Sequence, residues 1–116
     1  MVVAKKTSSK QVSILNFEDI QKDQNNMQKD QNKLTRVVVH FDVGYNNQLF
    51  IRGNGANLSW NKGIMLHNTR HNEWVWETDA TFKSCEFKIL INDIQYEQGN
   101  NHILNSAKTI EYTPHF

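Results

Sequence analysis

From Arg36 onward the chain alternates, and this period of two limits its fold more than any other feature. In RVVVHFDV, Val37, Val39, Phe41 and Val43 fall on one side, while His40 and Asp42 fall on the other. Extended backbone points successive side chains to opposite faces, so the pattern is that of a half-buried strand. Turn residues follow at 44–47, then a short apolar run, QLFIR, then a Gly/Asn-rich loop, GNGAN, at 53–57. Further strands are expected at residues 64–67, 73–78, 86–91 and 109–112. Short strands with turn signals about every ten residues predict an all-β fold, an immunoglobulin-like antiparallel β-sandwich of seven to eight strands.

Residues 1–34 read differently from the expected domain at 35–116. This polar N-terminal tail is rich in Gln, Asn, Lys and Asp, and it repeats a heptad almost letter for letter, QKDQNNM at 21–27 and QKDQNKL at 28–34. Ile20, Met27 and Leu34 recur at one heptad position, with Phe17 one turn earlier. A stable coiled coil needs two apolar positions per heptad, so this pattern is too thin for one. Three readings stay open: a solvated or partly helical tail, a helix docked on the domain, and a helix that engages a protein partner.

Charge and composition exclude several classes of function. Lys plus Arg number 13 and Asp plus Glu 12, a formal net charge of +1. That balance offers no basic stripe for a phosphate backbone or an anionic membrane surface, so neither nucleic acid nor membrane is expected as a partner. Cys85, the single cysteine, cannot form an internal disulfide or build a zinc site alone. The amino-terminal stretch lacks an apolar core of signal-peptide length, and no segment has the apolar length of a spanning helix. A reducing, cytoplasmic location is the resulting expectation.

Catalytic chemistry is equally thin. In KSCEFKIL the alternation puts Cys85, Phe87, Ile89 and Ile91 on one strand face, which makes Cys85 a core thiol rather than a nucleophile. The five histidines are scattered, none at metal-ligand spacing from a Cys, His or carboxylate. GNGAN lacks the Lys-Ser/Thr and the following helix of a phosphate loop. The expectation is a protein that is not an enzyme and that takes no metal or cofactor.

Aromatic residues carry more information. Trp60 lies in NLSWNKG and Tyr96 in IQYEQGNNH, both large rings among loop amides. The C–H face of a pyranose can cover such a ring while Asn, Gln and Lys side chains reach the hydroxyls. A ring that caps the sandwich core from a loop is the alternative, and composition does not choose between them. Trp74 and Trp76 alternate on one side of NEWVWET, so at least one belongs to the core.

The order of these pieces, YNNQLFIRGN, GANLSWNKGIML, NEWVWET, CEFKIL and YEQGNNH, resembles the starch-binding modules of carbohydrate-binding family 20. The resemblance runs from about Val37 to Phe116. It implies non-catalytic binding of α-1,4-glucan (starch, glycogen or maltooligosaccharides) for targeting or tethering. In the family's first site two indoles stack on neighbouring glucose units, helped by a lysine and an asparagine. Trp60 matches the first indole, Tyr96 takes the place of the second and is followed by Glu97, Lys88 matches the lysine, and Asn101 the asparagine. The arginine that follows in the family is His102 here. A second site is implied at Tyr45, whose usual tyrosine partner is missing and has only His67 near its place. Lys88 has a plain alternative reading, because in EFKIL it shares the solvent-facing side with Glu86 and Leu90, where a lysine is ordinarily a solvated charge. An immunoglobulin-like protein-interaction domain without sugar binding is the competing function.

Overall fold

The alternation becomes an alternation of burial in the computed structural model, which describes residues 34–116. The repeated heptads and the readings attached to the tail lie outside the described residues, Leu34 apart. Among the described residues nine strands form: β1 (Thr35–His40), β2 (Leu49–Asn54), β3 (Ile64–Met65), β4 (His67–Arg70), β5 (Glu73–Thr78), β6 (Ser84–Ile91), β7 (Gln95–Tyr96), β8 (His102–Asn105) and β9 (Thr109–Tyr112). They make two sheets, one ordered β4-β5-β1-β9 and the other β3-β2-β6-β7, with β8 also on β6. The fold is the expected all-β sandwich.

Its core joins the inward faces of both sheets. Val37 and Val39 of β1 and both indoles of β5, Trp74 and Trp76, come from the first. Leu49 and Ile51 of β2, Cys85, Phe87 and Ile89 of β6, and Leu104 of β8 come from the second. Burying each of the larger side chains is worth about 1.5–3 kcal/mol, so the β2–β6 pair anchors the second sheet. Gly53 lets these two strands approach. A Cβ built there would lie 2.1 Å from the Glu86 carbonyl oxygen, which no side chain tolerates.

Nine strands form where seven to eight were expected, β7 and β8 being additional, and two further details differ from the expected strand plan. The chain at 64–67 is not one strand. Its buried residue, Leu66, donates its N–H to the Leu49 carbonyl at 2.8 Å, and the chain passes from β3 in the second sheet to β4 in the first at that point. The pairing is also not wholly antiparallel. β9 lies parallel to β1, from Arg36 opposite Thr109 to Val39 opposite Tyr112. A parallel neighbour requires a long connection, and almost the entire domain intervenes here.

Candidate functional site

The outer face of the second sheet gathers most of the residues of interest. Phe50, Arg52 and Asn54 of β2 are register partners of Leu90, Lys88 and Glu86 of β6. These are the side chains that alternation turns away from the core. β7 adds Tyr96 opposite Leu90. Leu90 belongs to this outer face and yet is fully buried, between its register partners Phe50 of β2 and Tyr96 of β7.

Arg52 ties those loops together. Its Nη1 donates to the Trp60 carbonyl oxygen at 3.0 Å and reaches the Tyr96 hydroxyl at 3.4 Å. Its Nε donates to Asp93 Oδ1 at 2.8 Å, and Nη2 to the Asp93 carbonyl at 3.1 Å. The other Asp93 oxygen accepts the Gly63 N–H at 3.1 Å. A planar guanidinium with donors in a fixed fork suits this task, since it can satisfy several acceptors from one position. The hydrogen bond from Arg52 holds the Asp93 carboxyl below the ordinary carboxylate range, while Asp93 raises Arg52. Trp60, on the β2–β3 loop, is half-buried, and Tyr96 is 43% exposed. Two aromatic residues separated by 36 positions are thus joined through one nitrogen.

Lys88 lies beside this pair, directly across from Arg52. Its ammonium donates to the Glu97 carbonyl at 2.8 Å and also to the Gly99 carbonyl, so it is the anchor of the loop after β7. An ammonium has three donors, and these bonds use two of them. Asn101, exposed on that loop, donates to Glu86 Oε2 at 2.8 Å. Glu86 is two residues from Lys88 on the same strand face, so Trp60, Lys88, Tyr96 and Asn101 share one region.

Glu97 does not join them. The expectation that it belongs to a sugar site is corrected by its burial, at 3% exposure. Its Oε2 accepts the Ile89 N–H at 2.7 Å and the Tyr112 hydroxyl at 2.8 Å, and His102 Nε2 lies 3.0 Å from Oε1. The carboxylate is fully engaged inside the domain and presents nothing to a ligand. His102 is a member of the same cluster, stacked on Phe87 at 5.0 Å between ring centroids.

Tyr45 lies apart from the Trp60 region, on the turn between β1 and β2. It is 91% exposed and borders a cavity of about 420 Å³ formed with Asp42, Asn47, Asn68, His71 and Trp74. His71 Nε2 is 3.0 Å from Asp42 Oδ2. The histidine at this cavity is therefore His71 rather than His67, which pairs with Val75 along β4. Trp74 is a core residue, but its buried indole N–H has no hydrogen-bond partner among the described residues.

Arg52 and Asp93 were not anticipated as site residues. The β2–β6 register puts Arg52 opposite Lys88, and a charge on a strand face reads as solvated until its partners are known. Asp93 lies in a turn, and both it and Asn92 have positive φ, at 59° and 55°. That local conformation, which Asn and Asp tolerate better than most residues, brings the carboxylate back over the sheet.

No protein-family model matches the chain, and no curated protein matches it. Among solved structures it is similar to a glycoside hydrolase family 15 glucoamylase from Hypocrea jecorina, with a TM-score of 0.55 and 14% identity. The match covers 72% of this chain and 17% of the glucoamylase. This chain therefore shares the fold of a small part of that protein.

Proposed function

We propose that the domain is a non-catalytic binding module for α-1,4-glucan, held on Trp60 and Tyr96. The observation that carries this reading is the sharing of Arg52 Nη1 by the Trp60 carbonyl and the Tyr96 hydroxyl. Two partly exposed aromatic residues held together in this way form a platform for adjacent sugar units, with Lys88 and Asn101 beside it as hydrogen-bond donors. The motif order that resembles starch-binding modules supports the same reading, and so does the fold likeness to part of a glucoamylase. Tyr45 and the cavity beside it, bordered by Asp42, Asn47 and Asn68, make a second, smaller site for the same ligand.

The energetics fit weak binding. Each ring face takes on the order of 50 Å² of apolar surface out of water, with a similar area on the sugar, worth roughly 2 kcal/mol at about 25 cal/mol per Å². Hydrogen bonds from Lys88 and Asn101 add about 0.5–1.5 kcal/mol each, and association entropy opposes the sum. A net of about 4–7 kcal/mol corresponds to a Kd between roughly 1 mM and 10 μM. A polymer would strengthen this by engaging more than one contact at once.

A protein-interaction domain is the competing reading. Ile94 and Ile103, 79% and 63% exposed, favour it, because apolar side chains so open to water are suited to a protein surface. Titration of the full chain with maltoheptaose, followed by NMR shifts, separates the two. Shifts at Trp60, Lys88, Tyr96 and Asn101 support the glucan site. Shifts confined elsewhere overturn the site, and none at millimolar sugar overturns the function.

A further inference from the structure

We propose that Arg52 is the positioning residue of the glucan platform, setting Trp60 and Tyr96 in place before sugar arrives. The inference rests on the glucan reading and extends it to a residue that touches no ligand in that reading. Four observations carry it. First, Nη1 meets both the Trp60 carbonyl and the Tyr96 hydroxyl, at 3.0 and 3.4 Å, so the loop of one and the ring of the other share a contact. Second, the guanidinium is itself immobilised from its far side by the Asp93 carboxylate and carbonyl, at 2.8 and 3.1 Å. Third, Asp93 also holds the Gly63 N–H, at the end of the Trp60 loop, so that loop is restrained by this ion pair at two points. Fourth, Gly63 is fitted to this contact, since a Cβ there would lie 2.3 Å from Asp93 Oδ1 and 3.0 Å from the Phe50 Cβ.

The chemistry argues for positioning rather than for capture of an anionic ligand. Arg52 is neutralised by Asp93, and three of its nitrogens are already donating to the protein. What such an arrangement provides is a reduced ordering cost on binding. A loop tryptophan that must be immobilised by the sugar loses affinity to side-chain and loop entropy, and one already fixed does not. Lysine cannot replace this function, because a single ammonium cannot reach acceptors on the Trp60 loop, the Tyr96 ring and the Asp93 turn in one plane.

The test uses the ¹⁵N-labelled full chain as wild type, Arg52→Met, Arg52→Lys and Asp93→Asn. Two quantities are measured in each: the heteronuclear NOE of the tryptophan indole N–H groups, and the maltoheptaose Kd from shift titration. In Arg52→Met the Trp60 indole should lose order while Trp74 and Trp76 keep theirs, and affinity should fall about tenfold, the scale of one charge-assisted hydrogen bond lost. Arg52→Lys should not rescue either quantity. An Arg52→Met protein with an unchanged Trp60 signal, or with wild-type affinity, overturns the proposal. Should Arg52→Met fail to fold, Asp93→Asn decides by the same two readouts, since it frees the guanidinium while conserving shape. Failure of the wild type to bind sugar sinks the glucan reading separately, and the Trp60 indole signal then still decides whether Arg52 orders the loop.

Discussion

The Tyr112 hydroxyl donates to Glu97 Oε2 at 2.8 Å, and the same carboxylate oxygen accepts the Ile89 N–H at 2.7 Å. A tyrosine from the last strand and a backbone amide from the middle of β6 therefore converge on one buried acid. Tyr112 belongs to β9 in the first sheet and Ile89 to the second, so Glu97 links the two layers. A buried charge is tolerated only where its lone pairs are met by donors, and here His102 meets the other oxygen at 3.0 Å.

Removing that acid should cost stability and leave the sugar site alone. Glu97→Ala strands the Ile89 amide and the Tyr112 hydroxyl away from water, at about 1–3 kcal/mol for each unsatisfied group. We expect a loss of about 2–4 kcal/mol in urea unfolding. Affinity of the folded protein for maltoheptaose should be unchanged, whereas a loss of affinity without a loss of stability would make Glu97 a ligand contact after all.

Alkaline pH should weaken the same link. Burial first, and then the adjacent Glu97 charge, push the Tyr112 phenol well above the ordinary tyrosine value of 10.0. In the unfolded chain the phenol ionises near its ordinary value, while in the folded protein it stays protonated. Stability is therefore complete below about pH 10 and falls as pH rises beyond it, because the unfolded state then binds fewer protons. Denaturation midpoints measured at pH 8, 10 and 11 should fall along this series, and Tyr112→Phe should flatten the fall. An equal fall in both proteins would remove Tyr112 as the cause.

On the acid side the Arg52–Asp93 pair sets the behaviour of the platform. Asp93 is held below its ordinary carboxylate value of 3.8, chiefly by the hydrogen bond from Arg52. Its contribution is present above that value and is lost only as pH falls through the lower, folded one. Sugar affinity should thus be steady from pH 7 to pH 5. Asp93→Asn should bind more weakly across that range with no new pH dependence, as read by shift titration at each pH.

Much of this architecture was legible from strand parity. Val37, Val39, Cys85, Phe87 and Ile89 all face the core as the alternation predicts, because a pleated strand leaves no other choice once one face is buried. Parity also put Lys88 on the outer face, but it could not show that the ammonium folds onto the carbonyls of Glu97 and Gly99. The burial of Glu97 is hidden from periodicity for a related reason. Its neighbours Tyr96, Gln98 and Gly99 are all exposed, and its donors come from residues 89, 102 and 112, so no local pattern marks it as buried. Arg52 likewise gains its meaning only from a turn 41 residues away. Side chains whose role depends on partners distant in the chain stay hidden from periodicity.

Cys85 gives a direct check on the inward face of β6. It is 2% exposed, and burial pushes its thiol above the ordinary value. Both effects suppress the thiolate that reacts. A thiol reagent should label the native protein far more slowly than the protein in denaturant. Equal rates would contradict the packing of β6 against the core.

Trp60, Trp74 and Tyr96 should separate function from folding in one mutation series. Trp60 is half-buried on a loop and Tyr96 is 43% exposed, so truncating either removes little from the core. Trp60→Ala should lower maltoheptaose affinity most, because the indole offers the larger stacking face, at roughly 2 kcal/mol of ring contact. Tyr96→Ala should follow, and Tyr96→Phe should fall between it and the wild type, since the ring remains but the 3.4 Å contact that positions it on Arg52 is lost. Trp74 behaves differently. It is 4% exposed and belongs to the same core cluster as Val37, Leu49 and Ile51, so Trp74→Ala should cost about 3–5 kcal/mol of stability. For a domain of this size that can exceed the margin that keeps the chain folded. Urea unfolding and sugar titration on the same four variants check both halves. A Trp60→Ala protein that binds as tightly as the wild type would remove the platform, and a stable Trp74→Ala protein would remove the core assignment.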